Sequence, residues 1–101
     1  MTRPKKMNDN EINASLNDIP LWNLKNISIE RELVAENFAA AIGIVNAIAV
    51  LAEKMDHHPD ILIYGWNKIR ITLSTHDQGG LTEFDFQLAM QIDELKLDAM
   101  K

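Results

Sequence analysis

The amino-acid sequence predicts an α+β fold, with a four-stranded antiparallel sheet covered on one face by helices, in the order α-β-β-α-β-β-α. Two patterns support this prediction. Between residues 37 and 55, apolar side chains recur at helical spacing and on most sides, as in a helix with little exposed surface. Between residues 66 and 75, apolar and polar side chains alternate, as in a strand with one covered face.

The composition is that of one globular domain. A chain of 101 residues can form one modest core but not two, so we expect a disordered tail at 1–7 and a single domain at 8–101. The net charge of −5 argues against binding to nucleic acid, because phosphate backbones require a clustered basic face. The chain has no cysteine, which excludes disulfides and thiolate metal sites. No apolar segment follows the basic residues Arg3, Lys5 and Lys6, so we expect a cytoplasmic protein without a signal peptide.

The first part of the chain predicts a short helix and two strands. The helix covers residues 8–17 and ends before Pro20, because a residue that precedes proline is disfavoured in the helical conformation. Strands are predicted at 21–24 and 27–34. In the second strand Ile27, Ile29 and Leu33 share one parity, as a half-buried strand requires, and Arg31 is the polar exception on that side.

The helix predicted at 37–55 is apolar over most of its circumference, and Asn46 is the interruption between Phe38 and Ala52. Such a helix needs cover on more than one side, and a small monomer can cover only one. We therefore expect a homodimer or homotetramer that forms through this helix. We expect no membrane span, because about 20 apolar residues are needed to cross a bilayer.

The second part of the chain predicts two strands and a last helix. An apolar segment at 61–64 precedes a strand at 66–75. Residues 77–80 have the composition of a turn. The final helix is predicted at 82–98, where apolar residues return at helical spacing.

All three histidines lie at predicted ends of these elements. His57 and His58 follow the long helix, and Glu53 precedes His57 by four residues, so we expect those two side chains to share a helix face. The helix C-terminus and the carboxylates of Glu53 and Asp56 favour protonated imidazoles. Histidine changes its charge near neutral pH, so the cluster is a candidate for proton transfer.

His76 follows the predicted strand beside the hydroxyls of Ser74 and Thr75. If the long helix packs on the sheet, the helix end and the strand end can meet at one edge. His57 and His58 could instead cap the helix by binding its last carbonyl groups.

Other chemistries fit the residues less well. Three histidines can hold zinc, but adjacent His57 and His58 would have to reach one ion from consecutive positions, so we expect no metal. Ser74 lacks the surroundings of a nucleophile elbow. Asp85 could act as the third residue of a capping box whose N-cap is Thr82. Trp66 could belong to the core or form a wall for a flat ring.

The spacing of these residues resembles a known signature. Glu53 and three residues precede His57-His58-Pro59; Trp66 follows after six residues, His76 after nine more and Asp85 after eight more. This pattern is similar to that of the pterin-4a-carbinolamine dehydratases, also known as dimerisation cofactors of a hepatocyte transcription factor. The resemblance extends over about residues 22–98. It departs at 33–38, where the family usually has Phe-x-Phe-x-Asp-Phe and this chain keeps the last phenylalanine.

The resemblance implies loss of water from 4a-hydroxytetrahydrobiopterin, which gives quinonoid dihydropterin in cofactor recycling. An acid and a base suffice for this reaction, so it implies no metal and no redox cofactor. His57 and His76 would exchange the acid and base roles, His58 would bind or polarise the pterin, and Asp85 would orient an imidazole. The implied substrate-binding residues are Glu53, Asp56, Trp66, Ser74, Thr75 and Asp77.

The family also implies partners. Its members are dimers or tetramers with the long helix at a subunit contact, and an aromatic amino-acid hydroxylase would act in the same pathway. Some relatives of this fold serve as assembly factors or coactivators, so the alternative is a non-catalytic dimerisation module. A pure scaffold has no need for the full set of histidines and carboxylates, which favours the enzyme.

Overall fold

The structure is a computed structural model and describes residues 4–95. It confirms the predicted α+β fold and the predicted order of its elements. The helices are α1 (Asp9–Leu16), α2 (Phe38–Met55) and α3 (Glu83–Asp93); the strands are β1 (Asn23–Lys25), β2 (Ser28–Val34), β3 (Asp60–Tyr64) and β4 (Lys68–Leu73). A 3-10 helix, His76–Gln78, lies between β4 and α3.

The four strands form one antiparallel sheet in the order β1-β2-β4-β3. Side chains of one parity face the helices and are buried, because successive strand residues point to opposite faces. The side chains from β2 and β4 on this face include Ile29, Leu33, Ile69, Ile71 and Leu73. The opposite face carries polar side chains such as Glu32 and Arg70, whose Oε1 and Nε lie 2.9 Å apart.

Arg31 lies on the same face of β2 as the buried residues Ile29 and Leu33, and it is the one polar residue on that side of the predicted strand. The structure explains it: Nη1 of Arg31 donates to Oδ1 of Asp93 at 2.6 Å, and Nε1 of Trp22 donates to the same oxygen at 2.9 Å. A charged group at the edge of a core requires such partners. The contact joins β2 and the segment before β1 to α3.

Helix α2 begins after Asn37, whose side chain accepts a hydrogen bond from the backbone of Ala40 at 2.7 Å. One face of α2 is buried against the sheet and α3 by Ala41, Ile44, Ile48 and Ala52. The other face leaves large apolar side chains exposed, among them Phe38, Ile42 and Val50.

The length of α2 does not exclude a membrane span, contrary to the sequence-based argument. Its 18 residues meet the length and composition of a membrane-crossing helix. Core helices of water-soluble proteins share these properties, and the buried face of α2 forms part of this domain's core.

Several boundaries differ from the predictions. The first strand begins at Asn23, because Ile19 and Trp22 are buried in the core without pairing to β2. The predicted strand at 66–75 is shorter, because Trp66 lies in the β3–β4 turn with φ of 60°. Helix α3 ends at Asp93, whereas the prediction extended to residue 98; residues 96–98 lie outside the described part of the chain.

The segment before α1 has no regular secondary structure in its described residues, 4–8. The backbone N–H of Met7 donates to the carbonyl of Leu81 at 2.8 Å, and its side chain packs against the core. This contact fixes the start of the domain beside the segment that leads into α3.

Candidate active site

The end of α2 determines where His57 lies. Asp56 takes the left-handed conformation, with φ of 50° and ψ of 44°. The N–H of His57 donates to the carbonyl of Ala52 at 3.1 Å, and the N–H of Asp56 donates to that of Glu53 at 3.2 Å. This is a Schellman motif with aspartate in the position that glycine usually takes. The reversal of the chain turns His57 inward, and its side chain is buried.

The end of β4 brings the second group of residues to the same edge of the sheet. A hydrogen-bonded pair between Thr75 and Gly80 closes the loop that contains the 3-10 helix and His76. Oγ of Ser74 donates to the carbonyl of Ile27 at 2.7 Å, which ties this loop to the start of β2. His76 is exposed at the mouth of the loop.

These two segments line one open pocket of about 260 Å³. Its lining contains all three histidines of the chain. The lining residues are Asp56, His57, His58, Ser74, Thr75, His76 and Asp77. The expected meeting of helix end and strand end is therefore observed.

His57 forms a buried pair with Asp85. Nε2 of His57 lies 2.6 Å from Oδ1 of Asp85, and neither side chain is more than 5% exposed. The second oxygen, Oδ2, accepts from the hydroxyl of Thr75 at 2.8 Å and from the backbone N–H of Thr82 at 2.9 Å. These donors stabilise a carboxylate that has no access to water.

Asp85 therefore makes two sets of contacts. It is the third residue of the capping box of α3, as the local sequence indicates, and it also contacts Nε2 of His57. The ring of Phe84 meets the imidazole of His57 edge-on, with 5.9 Å between the centroids, and so limits its rotation.

The expected pairing of Glu53 with His57 is wrong. Oε1 of Glu53 lies 3.2 Å from Nε2 of His58 instead, and both side chains are largely exposed. The physical reason is the left-handed Asp56, which ends the helix and removes His57 from the helix face that Glu53 occupies.

Trp66 does not line this pocket. It lies in the β3–β4 turn and is 61% exposed, whereas the pocket lies at the other end of the same strands, about 17 Å away for a five-residue strand. Segment 33–38, where the sequence departs from the family pattern, leads into the N-terminus of α2 and is equally remote from the pocket. Within one chain, no residue of this segment lines the pocket.

The neighbouring imidazoles diverge toward different carboxylates, Asp85 for His57 and Glu53 for His58. Within residues 4–95, no group of three or more histidine, aspartate or glutamate side chains is arranged to hold a metal ion. The arrangement is instead suited to proton transfer, since it combines an imidazole held by a buried carboxylate with two exposed imidazoles around one small pocket.

Fold and site together define a small α+β protein whose imidazole-lined pocket lies at one edge of a helix-covered antiparallel sheet. Residues 5–95 match the family model described as pterin 4 alpha carbinolamine dehydratase. The chain belongs to this family.

Curated relatives cover nearly the whole chain. A protein of Sulfurisphaera tokodaii is 42% identical over 91 residues, which are 90% of this chain and 97% of that protein. One of Chloroflexus aurantiacus is 48% identical over 90 residues, which are 89% of this chain and 96% of that protein. Both carry the name pterin-4-alpha-carbinolamine dehydratase as a provisional assignment.

Solved structures have the same fold. A Brucella melitensis protein described as a transcriptional coactivator/pterin dehydratase superposes with a TM-score of 0.82 at 30% identity, covering 88% of this chain and 96% of that one. A pterin dehydratase-like protein, described as a RuBisCO assembly factor in the alpha-carboxysome, gives a TM-score of 0.56 at 23% identity. It covers 71% of this chain and 82% of that one, and at this identity the likeness concerns the fold alone.

Proposed function

We propose that this protein removes water from 4a-hydroxytetrahydrobiopterin to give quinonoid dihydropterin, by general acid/base catalysis with histidines. The observation that supports the proposal best is the pocket lined by His57, His58 and His76, with His57 held by the buried carboxylate of Asp85. In this reaction the bond between C4a and its hydroxyl breaks, the hydroxyl takes up a proton to leave as water, and a ring nitrogen loses a proton. The reaction therefore needs one acid and one base, and no electrons are transferred.

Of the two histidines that can take these roles, His57 acts as the base and His76 as the acid, because the carboxylate of Asp85 lies beside His57. When His57 accepts a proton, Asp85 stabilises the resulting imidazolium at 2.6 Å, as a carboxylate does in a catalytic triad. His76 is exposed at the pocket and acts as the acid toward the leaving hydroxyl. His58, oriented by Glu53, binds or polarises the pterin.

The remaining lining residues hold the substrate. Asp56, Ser74, Thr75 and Asp77 offer polar groups at the pocket, in part through their backbones. The hydroxyl of Thr75 donates to Asp85, so Thr75 contributes to substrate binding through its backbone. Trp66 can contribute to binding only if a second subunit brings it to the pocket.

We also propose that the protein acts as a homodimer or homotetramer that forms through α2. The exposed apolar side chains on that helix, Phe38, Ile42 and Val50, support this assembly, because an interface core is typically apolar. The cellular setting we propose is the cytoplasm, where an aromatic amino-acid hydroxylase would supply the carbinolamine.

The activity is tested with purified protein and freshly generated carbinolamine, by following its decay against the uncatalysed rate. The wild type is expected to accelerate the decay, and the double variant His57→Ala/His76→Ala is expected to lose the acceleration. A matched control, Asn13→Ala, changes an exposed residue of α1 that lies outside the pocket lining and off the proposed α2 interface, and it should keep the wild-type rate. A double variant with the wild-type rate would disprove the proposed mechanism.

The second candidate function is a non-catalytic assembly or coactivator module. It is favoured by the Brucella structure, whose description names a transcriptional coactivator as well as a pterin dehydratase. The two functions are distinguished by partner binding: a module would bind its partner equally well after the double histidine substitution, and it would not accelerate carbinolamine decay.

A further inference from the structure

Two buried threonine hydroxyls, one of them at the pocket, connect Asp85 to the first turn of α3 through hydrogen bonds. Oγ1 of Thr82 caps α3 and accepts a hydrogen bond from the backbone N–H of Phe84 at 3.3 Å. Its own proton is therefore free to be donated, and Oγ1 of Thr75 lies 2.8 Å away. The hydroxyl of Thr75 in turn donates to Oδ2 of Asp85 at 2.8 Å. Each hydroxyl has a single proton, so the sequence Thr82 to Thr75 to Asp85 is the direction that satisfies every group.

The direction of these hydrogen bonds determines which atoms of Asp85 and His57 carry a proton. Oδ2 of Asp85 also accepts the backbone N–H of Thr82 at 2.9 Å, so this oxygen faces two donors and cannot itself carry a proton. The two donors leave the carboxylate of Asp85 as an acceptor of hydrogen bonds. Its other oxygen, Oδ1, then accepts a hydrogen bond from His57, whose Nε2 is 2.6 Å away.

Burial shields these hydrogen bonds from solvent. Thr75, Thr82 and Asp85 are no more than 2% exposed, so water cannot replace a missing donor. A buried polar group that loses its partner is costly, and the network is expected to act as a unit.

We propose that Thr75 and Thr82 are positioning residues: their ordered hydroxyls keep Asp85 an acceptor and hold neutral His57 in the tautomer with the proton on Nε2. The other ring nitrogen, Nδ1, is then unprotonated and able to take a proton. The inference deepens the proposed function, because it supplies the nitrogen with which His57 acts as the base, but its primary readout does not depend on activity.

The test measures the ring ¹⁵N chemical shifts of His57 in the folded protein at a pH where the ring is neutral. The signal is assigned by its absence in His57→Gln. The wild type is expected to show a protonated Nε2 and an unprotonated Nδ1. A wild-type ring protonated on Nδ1 would overturn the proposal outright, without any variant.

The variants then test the hydroxyls. Thr75→Val, which keeps the shape but removes the hydroxyl, is expected to shift His57 toward a mixture of tautomers, and Thr75→Ser is expected to restore the wild-type shifts. Thr82→Val should likewise shift His57 toward a mixture of tautomers, and Thr82→Ser should restore the wild-type shifts. The matched control is Thr72→Val, which makes the same change on the outward face of β4 and should leave His57 unchanged. Unchanged His57 shifts in a folded Thr75→Val variant would overturn the proposal.

Kinetics provide a separate readout. If the protein is the proposed dehydratase, Thr75→Val should lower kcat by roughly ten-fold and leave KM within about two-fold of the wild-type value. A ten-fold loss in kcat is a part of the roughly 10²–10⁴-fold that a positioned acid or base contributes to the rate. If the wild type has no dehydratase activity, the proposed function fails while the tautomer measurement still decides this inference.

Discussion

Nε2 of His57 and Oδ1 of Asp85 lie 2.6 Å apart, although the two residues are 28 positions apart in the sequence. One residue follows the end of α2 and the other lies in the first turn of α3, so the fold itself creates the pair. Because both side chains are buried, the orientation of the imidazole depends on this carboxylate more than on solvent.

Replacing Asp85 with asparagine tests that dependence. The amide can still accept from the backbone of Thr82, but it can offer an N–H to His57 and favour the wrong tautomer. We expect kcat for carbinolamine dehydration to fall by about 10²–10⁴-fold, as in related carboxylate–histidine pairs. Glu53→Gln is the matched control, because its carboxylate is exposed and contacts His58; it should lower kcat far less. Equal losses in both variants would contradict the role of Asp85.

The contact of Arg31 with Asp93 is expected to stabilise the fold. Arg31→Leu should lower the free energy of unfolding by about 1–3 kcal/mol, because Asp93 then loses a charged donor in a place that is only 21% exposed. Chemical denaturation measures this change. The exposed pair of Arg70 and Glu32 is the comparison, and Arg70→Leu should lower the free energy of unfolding less than Arg31→Leu does, because solvent screens an exposed ion pair. A larger loss for Arg70→Leu than for Arg31→Leu would contradict this ranking.

The two faces of α2 should respond differently to substitution. Ile48 is fully buried, so Ile48→Ala should lower the free energy of unfolding by about 2–5 kcal/mol. Val50 is 60% exposed, so Val50→Lys should keep the fold but weaken association. Sedimentation at low micromolar concentration measures the assembly. A wild-type species of 11.5 kDa would show that the exposed face does not join subunits.

Tyr64 offers a pH-dependent signal, since it is the single tyrosine of the chain. Its hydroxyl donates to Glu32 at 2.9 Å, and this hydrogen bond raises the pKa of Tyr64 above its ordinary value of 10.0. Tyrosinate absorbance should therefore appear at higher pH than in the unfolded chain, and Glu32→Gln should lower the pKa. Any stabilisation by the neutral hydroxyl is present below pH 10 and is lost as the pH rises through the raised pKa. An unchanged titration in Glu32→Gln would contradict this cause.

The sequence was sufficient for the fold class and for the gathering of the histidines. Periodicity identified α2 and β4, and packing a helix on a sheet brings their ends to one edge. Periodicity could not explain Arg31, because its partner Asp93 lies in a helix 62 residues further along the chain.

The carboxylate partners of the histidines were harder to predict. Helical spacing predicted a contact between Glu53 and His57. The left-handed conformation of Asp56 ends the helix before His57, and Glu53 contacts His58 instead. The capping box at Thr82 and Asp85 was visible in the sequence. Its connection to Thr75 and His57 depends on how α3 packs beside β4, which no local pattern specifies.

The most direct test of the proposed mechanism is a crystal structure of the protein with a bound pterin analogue that carries a substituent at C4a. We expect the ring to occupy the pocket, with His57 and His76 each within about 3.2 Å of the C4a substituent or the neighbouring ring nitrogen. A ring bound outside this pocket, or one that none of the three imidazoles contacts, would contradict it.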